Sequence, residues 1–593
     1  MSASGAVVNT RWARAITDEL ARSGVREIAV APGSRSTPLV MALAVDGRFR
    51  LRVHLDERSA AFFALGVGKV SGTPAAVLTT SGTAVANLLP AVVESAQAET
   101  PLLVLTADRP PRLRGADANQ AIDQAGIFGS FVRASFDLAV PTGDDPALRH
   151  MRTCVSRAVG AAAGHPMGPV HLNVPFDKPL EPVEEPVDVS PAPDRDPLAV
   201  SGRPDGRPYT TIVRAARIPA GPELDDLVRR LNTPRGMIVA GPVPEPDRVG
   251  PEVRRLARAT GFPLLADPLS GARFGSDAAA GSEVDAVAGY DLFLRAPEVR
   301  AALRPSFVLR VGQSPTSAVL TEWLVEQRDV PSLVVDGGAR WKDHGAGATD
   351  YLITDLADTM RALAERVHAA ASTEWADRWV ALDRAARGAL DDDGTRLHEG
   401  AVWPELARAL PEALVFVSSS MPIRDLDAFA VPSDRRWRVY GNRGASGIDG
   451  IVSTAFGAAA AGGRTVLCVL GDLALFHDQN GLLWSREPDL AVVFLLVDND
   501  GGGIFHMLPI VEHEPEFTTY FATPHGLDFR HAAALHGIEL RDVTMDGLAR
   551  EVAAAEAARR TVVLRLRTDR EQNRTRRAEL TDEVVRRARA ALG

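Results

Sequence analysis

The stretch from Thr465 to Phe505, TVLCVLGDLALFHDQNGLLWSREPDLAVVFLLVDNDGGGIF, holds the residue types best spaced for chemistry. An apolar run, TVLCVL, ends in Gly471-Asp472. A helix-length segment follows, then a second apolar run, LAVVFLLV, which ends in Asp498-Asn499-Asp500 and the glycines Gly501, Gly502 and Gly503. Such runs read as buried parallel strands joined by one βαβ crossover. A right-handed crossover returns both strand ends to the same sheet edge, so Asp472 and Asn499 face one small volume although 27 positions separate them. Asp472, Asn499 and a loop carbonyl, taken as that of Gly501, make a partial oxygen shell for Mg²⁺ and leave positions for phosphate oxygens and water. The glycines admit a phosphate to the backbone without a Cβ clash. A helix opening near Ile504 adds N–H donors. A lone Gly-Asp is explained by a turn; the joint pattern of strand, Gly-Asp, helix, strand, Asp-Asn and three glycines is far more specific.

These loops need a sheet to hold them, and the chain supplies three α/β blocks. Residues 1–182 carry EIAVAPG, LRVHLDE, AAVLTTSG, PLLVLTADR and GPVHLNVPF as strands, alternating with helical stretches, which is the pattern of a parallel sheet. Residues 183–208 read as an extended linker, with seven prolines from Pro182 to Pro208. Residues 209–370 place RGMIVAGP, FPLLADPLSG, FVLRVGQSP and PSLVVDGG as buried strands and show no chemical motif. Residues 395–593 add ALVFVSSS, WRVYGN, the two strands of the crossover and TVVLRLRT. The expected fold is three doubly wound parallel-sheet domains.

At 593 residues, with roughly 100–200 residues per domain, several cores are required. An apolar fraction of 46% supplies them and argues against disorder. The net charge of −10 argues against general nucleic-acid binding. The basic run Arg574 to Arg589 reads as a helix with a solvated face. Cys154 and Cys468 lie in apolar surroundings and read as buried thiols in a reducing compartment. No signal-peptide pattern opens the chain and no apolar run approaches ~18 residues, so a cytoplasmic protein without a membrane span is expected. No GxGxxG or Walker loop stands in a strand–helix context, which leaves a nucleotide-binding reading unsupported.

The crossover resembles the diphosphate-binding motif of thiamine diphosphate enzymes, which opens Gly-Asp-Gly and closes Asn-Asn. Here Leu473 replaces the third glycine and Asp498 precedes Asn499; neither change removes a presumed ligand. The resemblance implies thiamine diphosphate with Mg²⁺ or Mn²⁺, held through Asp472, Asn499 and Gly501. It gives cofactor contacts to Gly471, Leu473, Gly502 and Ile504. It also implies a glutamate at a strand end, matched by Glu57 in HLDERSAAFFALGVGKVSG. In those enzymes that carboxyl contacts N1′ of the aminopyrimidine and favours the imino tautomer that takes the C2 proton. Ser81 and Gly82, in TTSGTAVANLLPAVVES, follow at the expected distance and contact the cofactor. Glutamate and metal motif lie on different blocks, and in this superfamily they meet between subunits, so at least a homodimer, possibly a tetramer, is implied.

Within that superfamily, APGSRSTPL at 31–39, TADRPP at 106–111, ANQAI at 118–122 and NRGASGIDG at 442–450 look like the 2-succinyl-5-enolpyruvyl-6-hydroxy-3-cyclohexene-1-carboxylate synthases of menaquinone biosynthesis. The similarity covers nearly the whole chain and is weakest between about 185 and 400. It implies decarboxylation of 2-oxoglutarate and 1,4-addition of the succinyl carbanion to isochorismate. Both substrates are multiply anionic, which suits arginine forks. Ser34, Arg35, Arg109, Asn119, Arg424 and Arg443 are the implied substrate contacts, and Gln120 and Ser420 join Glu57 at the reacting centre. Ser418 and Met421 in SSSMPIRD, with the bulky Ile448 under the bent cofactor, complete the cofactor set. His477 and His506 flank the metal motif, yet no histidine pair of the decarboxylating relatives is matched; this suits an enzyme that passes its carbanion to an acceptor. Ala318 and Val319 stand where some relatives carry Lys-Arg. Two other readings share the same residues: a 2-oxo acid enzyme of acetolactate synthase or decarboxylase type, and a non-catalytic cofactor-binding homologue.

Overall fold

A computed structural model describes residues 5–182, 195–275, 286–338, 340–367, 373–394, 398–430 and 434–592. The chain forms two compact units: 1–214 with 443–463 and 478–490, and 215–442 with 464–477 and 491–593. Most of the 183–208 linker, residues 183–194, lies outside the described residues. The rest of it is not simply extended: Pro197–Ser201 is a short helix, and the buried Arg152 donates to the carbonyls of Ala199 and Val200.

The first unit is built on six parallel strands, β1 (Glu27–Val30), β2 (Arg50–Val53), β3 (Ala75–Thr79), β4 (Leu102–Asp108), β5 (Ala134–Asp137) and β6 (Pro169–Pro175). Their order is β2-β1-β3-β4-β6-β5. β3, β4 and β6 are buried along their full length. Burial on both faces makes such strands unbroken apolar runs in sequence. The helix Glu57–Ser71 packs against the helix Ile451–Gly462 with the backbones nearly touching. A Cβ on Gly66 would stand 2.2 Å from the Thr454 carbonyl oxygen, and one on Gly457 2.1 Å from that of Phe63. Only glycine permits this approach.

The second unit holds two sheets. One contains β7 (Gly236–Ala240), β8 (Leu264–Ala266), β9 (Phe307–Val311), β10 (Ser332–Asp336) and β11 (Asp350–Ile353), ordered β11-β10-β9-β7-β8. The other contains β12 (Glu412–Val417), β13 (Arg436–Gly441), β14 (Val466–Gly471), β15 (Val492–Asp498), β16 (Glu539–Val543) and β17 (Val562–Arg567), ordered β13-β12-β14-β15-β17-β16. Every strand pairing is parallel. The basic C-terminal segment is the helix Arg570–Ala591, which packs on Thr373–Asp391 through the buried Val584 and Ala588.

The first and last sheets share one winding: numbered within each sheet, both run 2-1-3-4-6-5. In each, the chain reverses its direction of travel between the first and third strands. That places a crevice at the carboxyl ends of β1 and β3, and another at those of β12 and β14, where ligands bind in open α/β sheets. The fold is thus three parallel-sheet α/β domains, with three edge strands, β5, β11 and β16, that sequence patterning did not reveal.

Candidate functional site

In the second unit, the crossover brings its two loops together. Asp472 opens a short helix, Asp472–His477, directly after β14. Its Oδ1 accepts the N–H of Leu473 at 2.6 Å, and its Oδ2 accepts the N–H of Gly501 at 2.9 Å from the loop after β15. Burial lifts the Asp472 carboxyl above its ordinary value. Asn499 donates its Nδ2 to Glu399 Oε1 at 2.8 Å, while its Oδ1 is buried and has no hydrogen-bond partner. An orphaned acceptor in such a place calls for a ligand. A hard cation bound by the Asp472 carboxylate and the Asn499 amide oxygen satisfies both groups, so the donor set fits Mg²⁺ or Mn²⁺.

The three glycines serve the chain's own packing as well as any phosphate. Gly501 has φ 136°, and a Cβ there would lie 2.1 Å from the Ala522 carbonyl oxygen. The helix expected near Ile504 is a single 3₁₀ turn, Gly503–Met507, so fewer N–H donors converge than a full helix would offer. Gly471 and Leu473 flank Asp472 and are half-buried; Gly502 is buried and Ile504 half-buried.

At the neighbouring crevice, after β12, Ser418 is fully buried and its hydroxyl has no hydrogen-bond partner. Ser420 adopts φ 71°, a left-handed conformation rare outside glycine. It caps the helix Met421–Phe429, whose first residue, Met421, is buried. Arg424 therefore stands in a first helical turn rather than in a loop; its Nη1 donates to the Ser420 carbonyl at 2.7 Å.

Two residues of this unit escaped sequence reasoning. Glu399 is buried, accepts from Asn499 Nδ2 and from Thr568 Oγ1 (2.8 Å), and has its carboxyl pushed up to about 7 by burial. His525 places Nε2 3.3 Å from Asp472 Oδ2, and its Nδ1 accepts the N–H of Leu527 at 3.0 Å. Asp472, Asp498 and His525 bring ligand atoms within 4.8 Å of one another. Asp498 already faces Arg565 at 3.8 Å, which leaves Asn499 the better-suited second ligand. No motif marks Glu399 or His525; Glu399 lies 100 positions from Asn499, and His525 approaches Asp472 from a distant loop.

In the first unit, Glu57 does not end a strand. β2 stops at Val53, and Glu57 is the first residue of its helix, behind Asp56, whose carboxylate caps the N–H groups of Arg58 and Ser59. Glu57 is half-buried, with Asn87 Nδ2 3.4 Å from its Oε2.

The crevice residues after β1, β3 and β4 converge. Ser34 is exposed, while Arg35 beside it is buried and donates to the Phe176 carbonyl at 2.9 Å. Arg109, also buried, donates to Ser81 Oγ and, at 2.7 Å, to the Gln120 carbonyl. Gln120 sits at φ 55° and returns its Nε2 to the Ser81 carbonyl at 3.0 Å. The N–H of Gly82 donates to Gln124 at 3.2 Å. Burial and then the nearby Arg109 charge lower the Arg35 pKa. The carboxylates of Asp177 and Asp108 partly offset that shift. Asn119 is exposed.

Arg443, Ile448 and the loop between them also belong to this unit; Arg443 and Ile448 are half-buried, and Ala445 and Ser446 at the loop's tip are exposed. The loop is pinned by Glu94, which accepts the N–H groups of Gly444 (3.0 Å) and Ala445 (2.7 Å). In the middle sheet's domain, Ala318 and Val319 open the helix Ala318–Glu326, with Ala318 exposed.

Three family models match: "Thiamine pyrophosphate enzyme, N-terminal TPP binding domain" over residues 10–127, "Middle domain of thiamine pyrophosphate" over 205–417, and "Thiamine pyrophosphate enzyme, C-terminal TPP binding domain" over 427–566. Among relatives, the 2-succinyl-5-enolpyruvyl-6-hydroxy-3-cyclohexene-1-carboxylate synthase of Halobacterium salinarum is 47% identical over 97% of this chain and 98% of its own. Those of Roseiflexus castenholzii (96% and 98%) and Chloroflexus aurantiacus (95% and 94%) are each 42% identical. The chain belongs to the 2-succinyl-5-enolpyruvyl-6-hydroxy-3-cyclohexene-1-carboxylate synthase family of thiamine pyrophosphate enzymes.

Proposed function

We propose that this chain uses thiamine diphosphate and a divalent cation to decarboxylate 2-oxoglutarate and add the four-carbon fragment to isochorismate, a step of menaquinone biosynthesis carried out in the cytoplasm. The observation that carries the cofactor reading is the buried, unpartnered Asn499 Oδ1 beside the Asp472–Gly501 clasp. Asp472, Asn499 and the Gly501 carbonyl hold the cation. Gly471, Leu473, Gly502, Ile504, Ser418 and Met421 surround the diphosphate and thiazolium portions, with Ile448 as the apolar support. Ser81 and Gly82 contact the pyrimidine portion. When bound, thiamine diphosphate supplies a nucleophilic carbon and an electron sink.

The chain's own groups do the rest. Glu57 exchanges a proton with the pyrimidine ring nitrogen. Arg35 and Arg109, two buried cations held beside each other, take a substrate carboxylate, with Ser34 and Asn119 at the rim. Arg424 and Arg443 take further carboxylates. Gln120 and Ser420 orient the reacting oxygens. Both Gln120 and Ser420 are held at positive φ, the kind of backbone strain that recurs at functional sites. The assembly of this reading is at least a homodimer.

The test is a comparison of 2-oxo acids. With thiamine diphosphate and Mg²⁺, 2-oxoglutarate plus isochorismate should give the succinylated product, and pyruvate should be a poor substitute. Preference for pyruvate would leave the cofactor reading and remove the substrate assignment.

A further inference from the structure

We propose that Glu399, supported by Thr568, is a positioning residue that presents the amide oxygen of Asn499 to the cation. The proposal rests on the metal reading above and assigns a role to a residue outside the metal–diphosphate motif. A side-chain amide has two near-isosteric ends, one an acceptor suited to a cation and the other a donor that repels it. A buried asparagine ligand therefore needs something that selects the orientation. Glu399 Oε1 accepts from Asn499 Nδ2 at 2.8 Å. In the flipped orientation the amide oxygen would face Glu399 Oε1, which already accepts from Thr568 Oγ1; two acceptors face to face are unfavourable, so Glu399 commits Oδ1 to the other side, where it is buried and unpartnered.

Glu399 is itself anchored. It is 3% exposed, lies in the 3₁₀ turn Glu399–Ala401, and its backbone N–H donates to Asn573 Oδ1 at 2.9 Å. Thr568 Oγ1 donates to the same Oε1 at 2.8 Å, from the residue that follows β17. Residues that orient a metal ligand in this way tune affinity without touching the metal.

The experiment measures Mn²⁺ binding to the full-length protein with thiamine diphosphate, read from the electron paramagnetic resonance signal of free Mn²⁺. Wild type, Glu399→Ala, Glu399→Gln, Thr568→Val and Asp472→Asn are compared, and metal-free thermal unfolding reports whether each variant folds. Glu399→Ala should weaken Mn²⁺ binding by about 10- to 100-fold. Glu399→Gln, which keeps an acceptor oxygen, should restore most of it, and Thr568→Val should show a smaller loss than Glu399→Ala. A folded Glu399→Ala protein that binds Mn²⁺ within about twofold of wild type overturns the proposal. If Glu399→Ala does not fold, Thr568→Val decides: weakened binding supports the proposal and unchanged binding overturns it. Absence of Mn²⁺ uptake by wild type, or uptake undiminished in Asp472→Asn, overturns the metal reading itself and this proposal with it.

Discussion

Asp472 Oδ2 accepts the backbone N–H of Gly501 at 2.9 Å across 29 positions of sequence, so the two loops of the crossover are tied before any ligand arrives. The tie depends on a residue that must be glycine. Gly501→Ala puts a side chain at φ 136° and 2.1 Å from the Ala522 carbonyl oxygen, at a strain of about 1–3 kcal/mol. The loop should shift, and the apparent affinity for thiamine diphosphate should fall by at least about tenfold, the equivalent of ~1.4 kcal/mol. Isothermal titration with cofactor and Mg²⁺ measures this; unchanged affinity would show that the loop does not set the site.

Glu57 is separable from cofactor retention. Glu57→Gln removes the exchangeable proton but not the shape, so turnover should drop by about 10²–10⁴ while metal-dependent cofactor binding persists. Steady-state rates together with a binding titration on the same preparation check this. Normal turnover in Glu57→Gln would remove the activation role; an inactive wild type would instead favour the reading of a non-catalytic homologue.

Arg443 offers a clean probe of substrate binding. It is half-buried and makes no ion pair among the described residues, so its removal should leave folding intact. A charge-assisted bond to a carboxylate contributes about 1.5–3 kcal/mol. Arg443→Ala should therefore raise KM for one of the two acids by roughly 10- to 100-fold with little change in thermal unfolding. An unchanged KM for both acids would place this arginine outside the substrate contacts.

Asp478 gives the first unit a pH dependence with a definite sign. Its carboxyl accepts the Ser453 N–H at 2.7 Å and the hydroxyls of Ser453 and Ser59 at 3.2 Å, and burial raises its pKa to about 6. An unfolded aspartate titrates near ~3.9. Between those values the folded state keeps a proton that the unfolded state has released, so stability falls as pH rises from about 4 to about 6. The slope from this one group is at most about 1.4 kcal/mol per pH unit. Denaturant midpoints of wild type and Asp478→Asn across that window should diverge in slope, with Asp478→Asn the flatter. Parallel curves would contradict the assignment.

What could be read from sequence followed burial. β3, β4, β12, β14 and β15 are apolar along nearly their whole length because both faces are covered, and such runs stand out. The edge strands β5, β11 and β16 are half-exposed, carry polar residues, and blend into the surrounding loops. The sequence motif placed Asp472 and Asn499 on the loops after β14 and β15, and the structure ties those loops together through Asp472 and Gly501; Arg424, by contrast, stands in a helix. Glu57 was singled out by resemblance, and its local structure was misread: the Asp56 cap announces a helix, and the strand had already ended at Val53. Glu399 and His525 were not legible at all. Each reaches the metal loops through the tertiary fold, Glu399 from 100 positions before Asn499.

The proposed cation would be held by Asp472 and Asn499 and would make cofactor binding depend on metal. Thiamine diphosphate should be titrated into metal-stripped wild type and Asp472→Ala, with tryptophan fluorescence as the signal, before and after addition of Mg²⁺. Saturable binding should appear in wild type only once Mg²⁺ is present, be reversed by chelator, and be lost in Asp472→Ala. Equally tight binding without metal, or in the variant, would contradict it.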